Sequence, residues 1–242
     1  MNKIIPLAIP YFYTDSYNSS QSTIVLNEEA SKHIVQVLRM KTGEKINLTD
    51  GKGHLLTAVI EDNHKKHCRV QVSDIKFTAA DPGKISIAIS LIKNSSRFEW
   101  FLEKATEIGV NEIIPLICER TEKQKFREDR MKSILISAML QSQQSWLPVL
   151  HEPVLFKNAV QNSTQQQKFI AHCIKEEKRN LTDLARGSSD SQIILIGPEG
   201  DFTKEEIGLA IQYHFAATAL GETRLRTETA GIVAATILKL CL

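Results

Sequence analysis

The chain has 242 residues, 42% of them hydrophobic and 24% charged, with a formal net charge of +2. That length buries a full core, in one large or two modest domains. The balanced charge excludes a globally basic surface, so a nucleic-acid partner has to be met by local patches. Cys68, Cys118, Cys173 and Cys241 are scattered without a CxxC pair, which fits reduced thiols of a cytoplasmic protein rather than a disulfide or zinc framework. The opening MNKIIPLAIPYFY has one lysine and is broken by Pro6 and Pro10. Without a small-residue cleavage site it makes a poor signal peptide, and no run reaches membrane-spanning length.

Up to about Ile75 the pattern predicts short strands at Thr23–Leu26, Lys45–Thr49, His54–Ile60 and Cys68–Ser73, with Asp50-Gly51-Lys52-Gly53 as a hairpin turn. One helix interrupts them, starting at Asn27 as N-cap and running through Ile34, Val37 and Leu38 towards Arg39-Met40. A small barrel of this kind serves either as an RNA platform or as a plain structural unit. His64, His67 and Cys68 sit at a hairpin tip without a second ligand pair, so no metal is expected there. Ala79-Ala80-Asp81-Pro82-Gly83 reads as a linker.

Beyond it, strand runs at Ile85–Ile92, Ile113–Cys118, Pro148–Glu152, Lys168–Ile174, Gln192–Ile196 and Phe215–Leu220 alternate with helical stretches. That alternation predicts an α/β domain on a mostly parallel sheet. The clearest helix is Phe98–Ile108, with Phe101, Ala105 and Ile108 on its buried face. Gln161–Gln167, low in complexity, reads as a surface loop.

Two loops near the end of the chain carry the most chemistry. The apolar run Ile193–Ile196 is stopped by Gly197-Pro198-Glu199-Gly200, and Thr203 with Glu206 forms a capping box that opens a helix. A second run, Phe215–Leu220, ends at Gly221 and gives way to Thr227-Glu228 at the head of the apolar helix Ala230–Leu240. Two strand-loop-helix units bring both loops to one sheet edge, where α/β proteins bind ligands. Gly197, Gly200 and Gly221 let main chain approach a ligand closely. The pattern is neither a P-loop nor GxGxxG, and no lysine follows to neutralise a triphosphate, so a nucleoside without phosphates fits better. A lone GPEG would be an ordinary turn; Arg224, Arg226 and Glu228 around Thr227 exceed what a turn needs.

IGPEGDF with LGETRLRTETAG resembles the signature of the RsmE family, bacterial methyltransferases that methylate N3 of a uridine in 16S ribosomal RNA using S-adenosylmethionine. The similarity extends upstream through SKHIVQVLRMKTGEKINLTDGKG (from Ser31), FLEKATEIGVNEIIPLICER (from Phe101) and AMLQSQQSWLP (from Ala138). The resemblance implies a PUA-like RNA-binding β-barrel over residues 1–76, a linker over 77–84 and a SPOUT methyltransferase domain over 85–242. It further implies a trefoil-knotted sheet, a methyl-donor site in that knot at a homodimer interface, and action on the small ribosomal subunit. Gln143–Trp146 then become candidate interface residues.

A donor with an activated methyl needs alignment and exclusion of water rather than a metal. Main chain can hold adenine and the sulfonium, which assigns Leu195, Ile196, Gly197, Glu199, Gly200, Leu220, Gly221, Leu225, Arg226 and Thr227 to the cofactor, with Ala171 and His172 as a third wall. For His172 a satisfied strand-end histidine is an equally open reading. N3 of uracil carries a proton at neutral pH, so the base must be unpaired and the proton must leave. Arg226 is the first candidate to stabilise the anion, and Glu199 to orient the base or move the proton. A structural Arg226–Glu199 ion pair stays open beside that. Arg39, Lys41 and Arg97 match basic positions of the family blocks and are assigned to RNA, with Arg120. The run Arg120–Lys132 is either a phosphate track or a solvated helix face.

The chain also departs from the family. Tyr11-Phe12-Tyr13 replaces an Arg-Phe-Phe-like start, Gln144 stands where many relatives have arginine, and Asp201 replaces the second glycine of GPEGG. Two rival readings are a SPOUT methyltransferase acting on transfer RNA or another RNA atom, and a catalytically silent RNA-binding or ribosome-assembly factor. No GxSxG elbow is present to support a hydrolase.

Overall fold

The computed structural model describes residues 9–19, 21–122, 125–174, 177–187 and 189–241. The opening before Ile9, and Lys123-Gln124 of the basic run, lie outside the described residues. The chain packs as two compact units, residues 1–80 with 139–147, and residues 81–138 with 148–242.

The first unit holds β1 (Tyr11–Tyr13), β2 (Thr23–Val25), α1 (Glu28–Lys32) with a π-helical turn at His33–Val37, β3 (Lys45–Thr49), β4 (His54–Asp62) and β5 (Arg69–Phe77). They form a five-stranded sheet in the order β1-β3-β4-β5-β2. Only the β1–β3 pairing is parallel. The two edge strands do not pair with each other, so the expected barrel is a mixed half-barrel. Asn27 caps α1 by accepting the Ala30 N–H at 2.8 Å. The helix ends in a wider turn than expected: Leu38 N–H donates to His33 O and Met40 N–H to Ile34 O, at 2.9 and 3.0 Å. Closing that turn puts exposed Arg39 at φ 55°, a left-handed position where glycine is the usual occupant.

Ile34, Ile46, Leu48, Leu56 and Val70 fill the core of this unit. Cys68 faces that core and burial pushes its thiol up to about 11, while His64 and His67 stack on each other with ring centroids 5.6 Å apart. At the hairpin turn, Asp50 Oδ1 accepts the Lys52 N–H at 2.8 Å. Trp146 belongs to this unit: its main chain bridges Lys52, and its indole N–H donates to Thr78 O at 2.9 Å.

The second unit begins with β6 (Lys84–Ser90), α2 (Ser95–Ile108) and β7 (Glu112–Ile117), followed by α3 (Glu128–Gln141), which runs into the first unit, and β8 (Val149–Leu150). It continues through β9 (Val154–Leu155), α4 (Phe156–Asn162), β10 (Gln167–Ala171), β11 (Arg179–Asn180), α5 (Leu181–Leu184) and β12 (Ser191–Ile196). α6 (Lys204–Gln212), β13 (Ala216–Ala219) and α7 (Thr227–Cys241) complete it. Its sheet is parallel throughout, in the order β11-β13-β10-β12-β6-β7-β8, with β9 also on β7. Buried isoleucines run through β6 and β12, as expected of central strands covered on both faces.

α4 and α6 pack together over Ile170, Ile193 and Leu195, while α2 and α5 each pack on α7 and α7 lies on β6 and β12. A Cβ at Gly231 would come within 2.7 Å of Phe101 and 2.9 Å of Ile89, so only glycine lets α7 settle this closely on α2 and β6. α2 starts earlier than the apolar pattern suggests because Asn94 caps it, accepting the Ser96 N–H at 2.9 Å. Its buried face is completed by Leu102 and Thr106, and Ile108 is half-buried. Among the described residues no helix is long and apolar enough to cross a membrane.

Candidate active site

The carboxyl ends of the neighbouring strands β13, β10 and β12 open into a cleft of about 730 Å³, within the range of small-molecule sites. Each strand supplies one wall. After β12 the chain turns at Pro198, whose carbonyl accepts the Asp201 N–H at 2.9 Å. It then enters α6 through the expected capping box. Thr203 N–H donates to Glu206 at 2.9 Å and Glu206 N–H donates to Thr203 Oγ1 at 3.2 Å. The other Glu206 oxygen accepts the Glu119 N–H at 2.9 Å. After β13, Gly221 takes φ 127°, which an L side chain rarely adopts.

The walls are bonded to each other. Buried Thr227 donates its hydroxyl to Gly197 O at 3.0 Å, and Arg224 reaches Glu199 O at 3.4 Å. Asp201 ties the β12 loop to the β10 loop, accepting the Cys173 N–H at 2.8 Å while its other oxygen accepts the Phe202 N–H at 2.9 Å. Within the β10 loop, Lys178 Nζ donates to His172 O at 2.5 Å and Ile174 O at 2.8 Å, and lies 3.3 Å from His172 Nδ1.

All the residues expected at the cofactor line this cleft except Leu195 and Gly200. Leu195 is fully buried in the core beneath α4 and α6, because side chains alternate along β12. Gly200 lies outside the wall, where Arg120 Nη1 donates to its carbonyl at 2.7 Å. Arg120, assigned to RNA, therefore braces the β12 loop. His172 is buried and lies against Lys178. Glu199 and Arg226 are both exposed and form no ion pair with each other among the described residues. The Glu199 carboxylate instead accepts the Lys93 N–H at 3.2 Å.

Arg97 is found in the cleft wall, and its Nε lies 3.7 Å from Oε1 of Glu228. The Glu228 side chain is only 9% exposed, in the first turn of α7, where the helix N-terminus favours a negative charge. Its Oε2 has no hydrogen-bond partner among the described residues. Arg39 and Lys41 are exposed in the first unit. Within the described part of the basic run, Arg130 grips Glu99 through two bonds of 2.6 Å and Lys132 pairs with Glu128, while Lys125 and Arg127 are exposed to solvent. That favours the solvated-face reading. Sequence reasoning missed Lys178, Cys173 and the Arg97–Glu228 contact. Asp201 stood out only as a departure from GPEGG.

No group of three or more His, Cys, Asp or Glu that could hold a metal ion occurs among the described residues. The parallel α/β sheet whose paired glycine loops line a ligand cleft and the mixed half-barrel are the two domains of an RNA methyltransferase with a PUA domain. Residues 79–239 match the RNA methyltransferase domain family and residues 26–73 the RNA methyltransferase PUA domain family.

Among solved structures, a probable rRNA-methyltransferase from Porphyromonas gingivalis is 35% identical, with TM-score 0.88, over 96% of this chain and 99% of that one. A ribosomal RNA small subunit methyltransferase E from Neisseria gonorrhoeae, bound to S-adenosyl methionine, is 29% identical with TM-score 0.85, over 96% and 97%. The Buchnera aphidicola protein of the same name is 30% identical over 96% of this chain and 93% of its own length. The chain belongs to the ribosomal RNA small subunit methyltransferase E family.

Proposed function

We infer that the protein transfers the methyl group of S-adenosylmethionine to N3 of a uridine in 16S ribosomal RNA of the small subunit. The observation that carries this reading is the cleft built from the β12 and β13 loops, inside a chain that matches the family over nearly its whole length. The cleft suits the donor chemically: Ile196, Leu220 and Leu225 offer apolar contact for a purine, main-chain groups of both loops offer polar contact, and Glu199 complements a cation. The donor supplies an activated methyl on a positively charged sulfur. The chain's residues have to hold an unpaired uracil in line, exclude water and favour loss of the N3 proton.

Exposed Arg226 is the first cation for that task, and Glu199, fixed by the Lys93 N–H, orients the base. Arg39 and Lys41 serve as RNA contacts on the PUA-like unit. Trp100 and Leu240, 43% and 82% exposed on the mutually packed α2 and α7, support a homodimer, and the knot implied by the resemblance belongs to the same reading. So does a cytoplasmic setting, where small subunits are assembled.

Undermethylated small subunits incubated with labelled donor, followed by mass-spectrometric mapping, test this. N3-methyluridine in 16S RNA is the expected product. Methyl on transfer RNA would favour the first rival, and donor binding without any transfer would favour a silent assembly factor.

A further inference from the structure

A carboxylate that is nine-tenths buried is costly unless it is paired. Glu228 is 9% exposed, yet one of its oxygens lacks a hydrogen-bond partner among the described residues, and the other meets only Arg97, at 3.7 Å. The neighbouring Thr227 already caps the loop junction through Gly197 O, so anchoring the head of α7 does not need a charge at the next position. Arg97 stands in the cleft wall with 41% of its side chain exposed, and Glu228 is its only ion-pair partner among the described residues. The nearest approach is at Nε, and among the described residues no hydrogen bond engages the terminal nitrogens of the guanidinium.

We propose that Glu228 is a positioning residue: it holds Arg97 at the donor cleft so that the guanidinium stabilises the uracil anion through a carbonyl oxygen. This deepens the uridine-N3 reading and rests on it. In the transfer the N3–H bond gives its proton to solvent, a bond forms between N3 and the methyl carbon, and the sulfur–methyl bond breaks and leaves a neutral thioether. Negative charge on the deprotonated base is shared between N3 and the flanking carbonyl oxygens. A donor aimed at a carbonyl oxygen stabilises that charge and leaves the N3 lone pair free to attack. Arg97 would therefore contact the base, and Glu228 would act only through Arg97.

The test uses the full-length protein with undermethylated small subunits whose 16S RNA contains either uridine or 5-fluorouridine, whose N3 proton is more acidic. Glu228→Gln is expected to bind donor within about twofold of wild type while kcat on uridine falls about 100-fold, the scale for losing one charge-stabilising donor. KM is expected to change little. The 5-fluoro substrate is expected to restore the variant far more than it accelerates wild type, which a merely structural defect would not produce. Arg97→Gln is expected to match it, and the Arg97→Gln/Glu228→Gln double variant to be no slower than either single one. Glu228→Asp is expected to recover part of the rate.

Near-normal turnover of Glu228→Gln, or an equal 5-fluoro effect in variant and wild type, would overturn the proposal. If Glu228→Gln loses donor binding, Arg97→Gln decides: an unchanged rate on uridine sinks the inference. Wild-type protein that makes no N3-methyluridine would instead sink the proposed function itself.

Discussion

Asp201 is the position at which this chain departs most sharply from a family that usually has glycine. The structure shows what the aspartate costs and what it contributes. Its φ of 64° is left-handed, which costs a residue with a Cβ about 1 kcal/mol, at the low end for Asp because of its local hydrogen bonding. Against that, its carboxylate accepts the Cys173 N–H at 2.8 Å and the Phe202 N–H at 2.9 Å. A hydrogen bond to a charged group contributes about 1.5–3 kcal/mol, and the bond to Cys173 belongs near the lower figure because Cys173 is exposed.

Asp201→Gly removes both effects, so they partly cancel and the net destabilisation is about 2–3.5 kcal/mol. Asp201→Ala loses the bonds and keeps the strain, for a net loss of about 3–4.5 kcal/mol. In a chain of 242 residues each kcal/mol moves Tm by about 2–4 °C. Denaturation of the three proteins in parallel, with calorimetric titration of S-adenosylmethionine, reads both stability and the integrity of the β10 wall. The expected order is wild type, then Gly, then Ala, with faster amide exchange at Cys173 in both variants. If Ala and Gly were equally stable, the strain assignment would fail. If Gly matched wild type in stability and in Cys173 exchange, the bridging bond would be energetically irrelevant.

Arg226→Ala is expected to lower turnover on small subunits about 100-fold; a variant that keeps both donor affinity and near-normal rate would remove Arg226 from the mechanism. Cys173 lines the cleft and is exposed, whereas burial pushes the Cys118 thiol up to about 12 and the Cys68 thiol up to about 11. A thiol alkylator at neutral pH is therefore expected to label Cys173 ahead of both buried thiols, and saturating S-adenosylmethionine to slow that labelling, as peptide mapping would reveal. The Arg130 guanidinium, bonded to Glu99, holds that carboxyl below the usual glutamate range. Its contribution is complete above the unfolded value of about 4.3 and is lost as pH falls through the lower folded value. Urea midpoints measured across that acid window should drop more steeply for wild type than for Glu99→Gln; equal slopes would show the pair to be without weight.

The glycine loops and the capping box were legible because their signals are local: an apolar run, a breaker, and a Thr three residues before a Glu. Asn27 as N-cap was legible for the same reason. What stayed hidden was non-local. β1 exists because Tyr11–Tyr13 meets β3 in parallel, and three residues of edge strand carry too little pattern to announce it. Trp146 closes on Lys52 and Thr78, a pairing that no spacing encodes. Arg97 and Glu228 are brought together by the packing of α2 against α7, which depends on the close approach at Gly231. Lys178 lies in a charge-rich stretch whose composition suggests nothing but solvent.

The charges around the cleft divide by what they are bonded to. Lys178 directs its ammonium at two main-chain carbonyls and the His172 ring, which occupies its three donors. Asp201 spends its oxygens on two backbone N–H groups. These two are wall-building charges, and neither is left to meet a ligand. Glu199 is half-committed through Lys93 and Arg97 through Glu228, while Arg226 is exposed. The cationic groups still able to turn towards a substrate are therefore guanidiniums. A guanidinium stays protonated throughout the range in which uracil N3, a carboxylate, a histidine or a thiol titrates, so these arginines keep their charge towards the substrate while any pH dependence of activity comes from other groups.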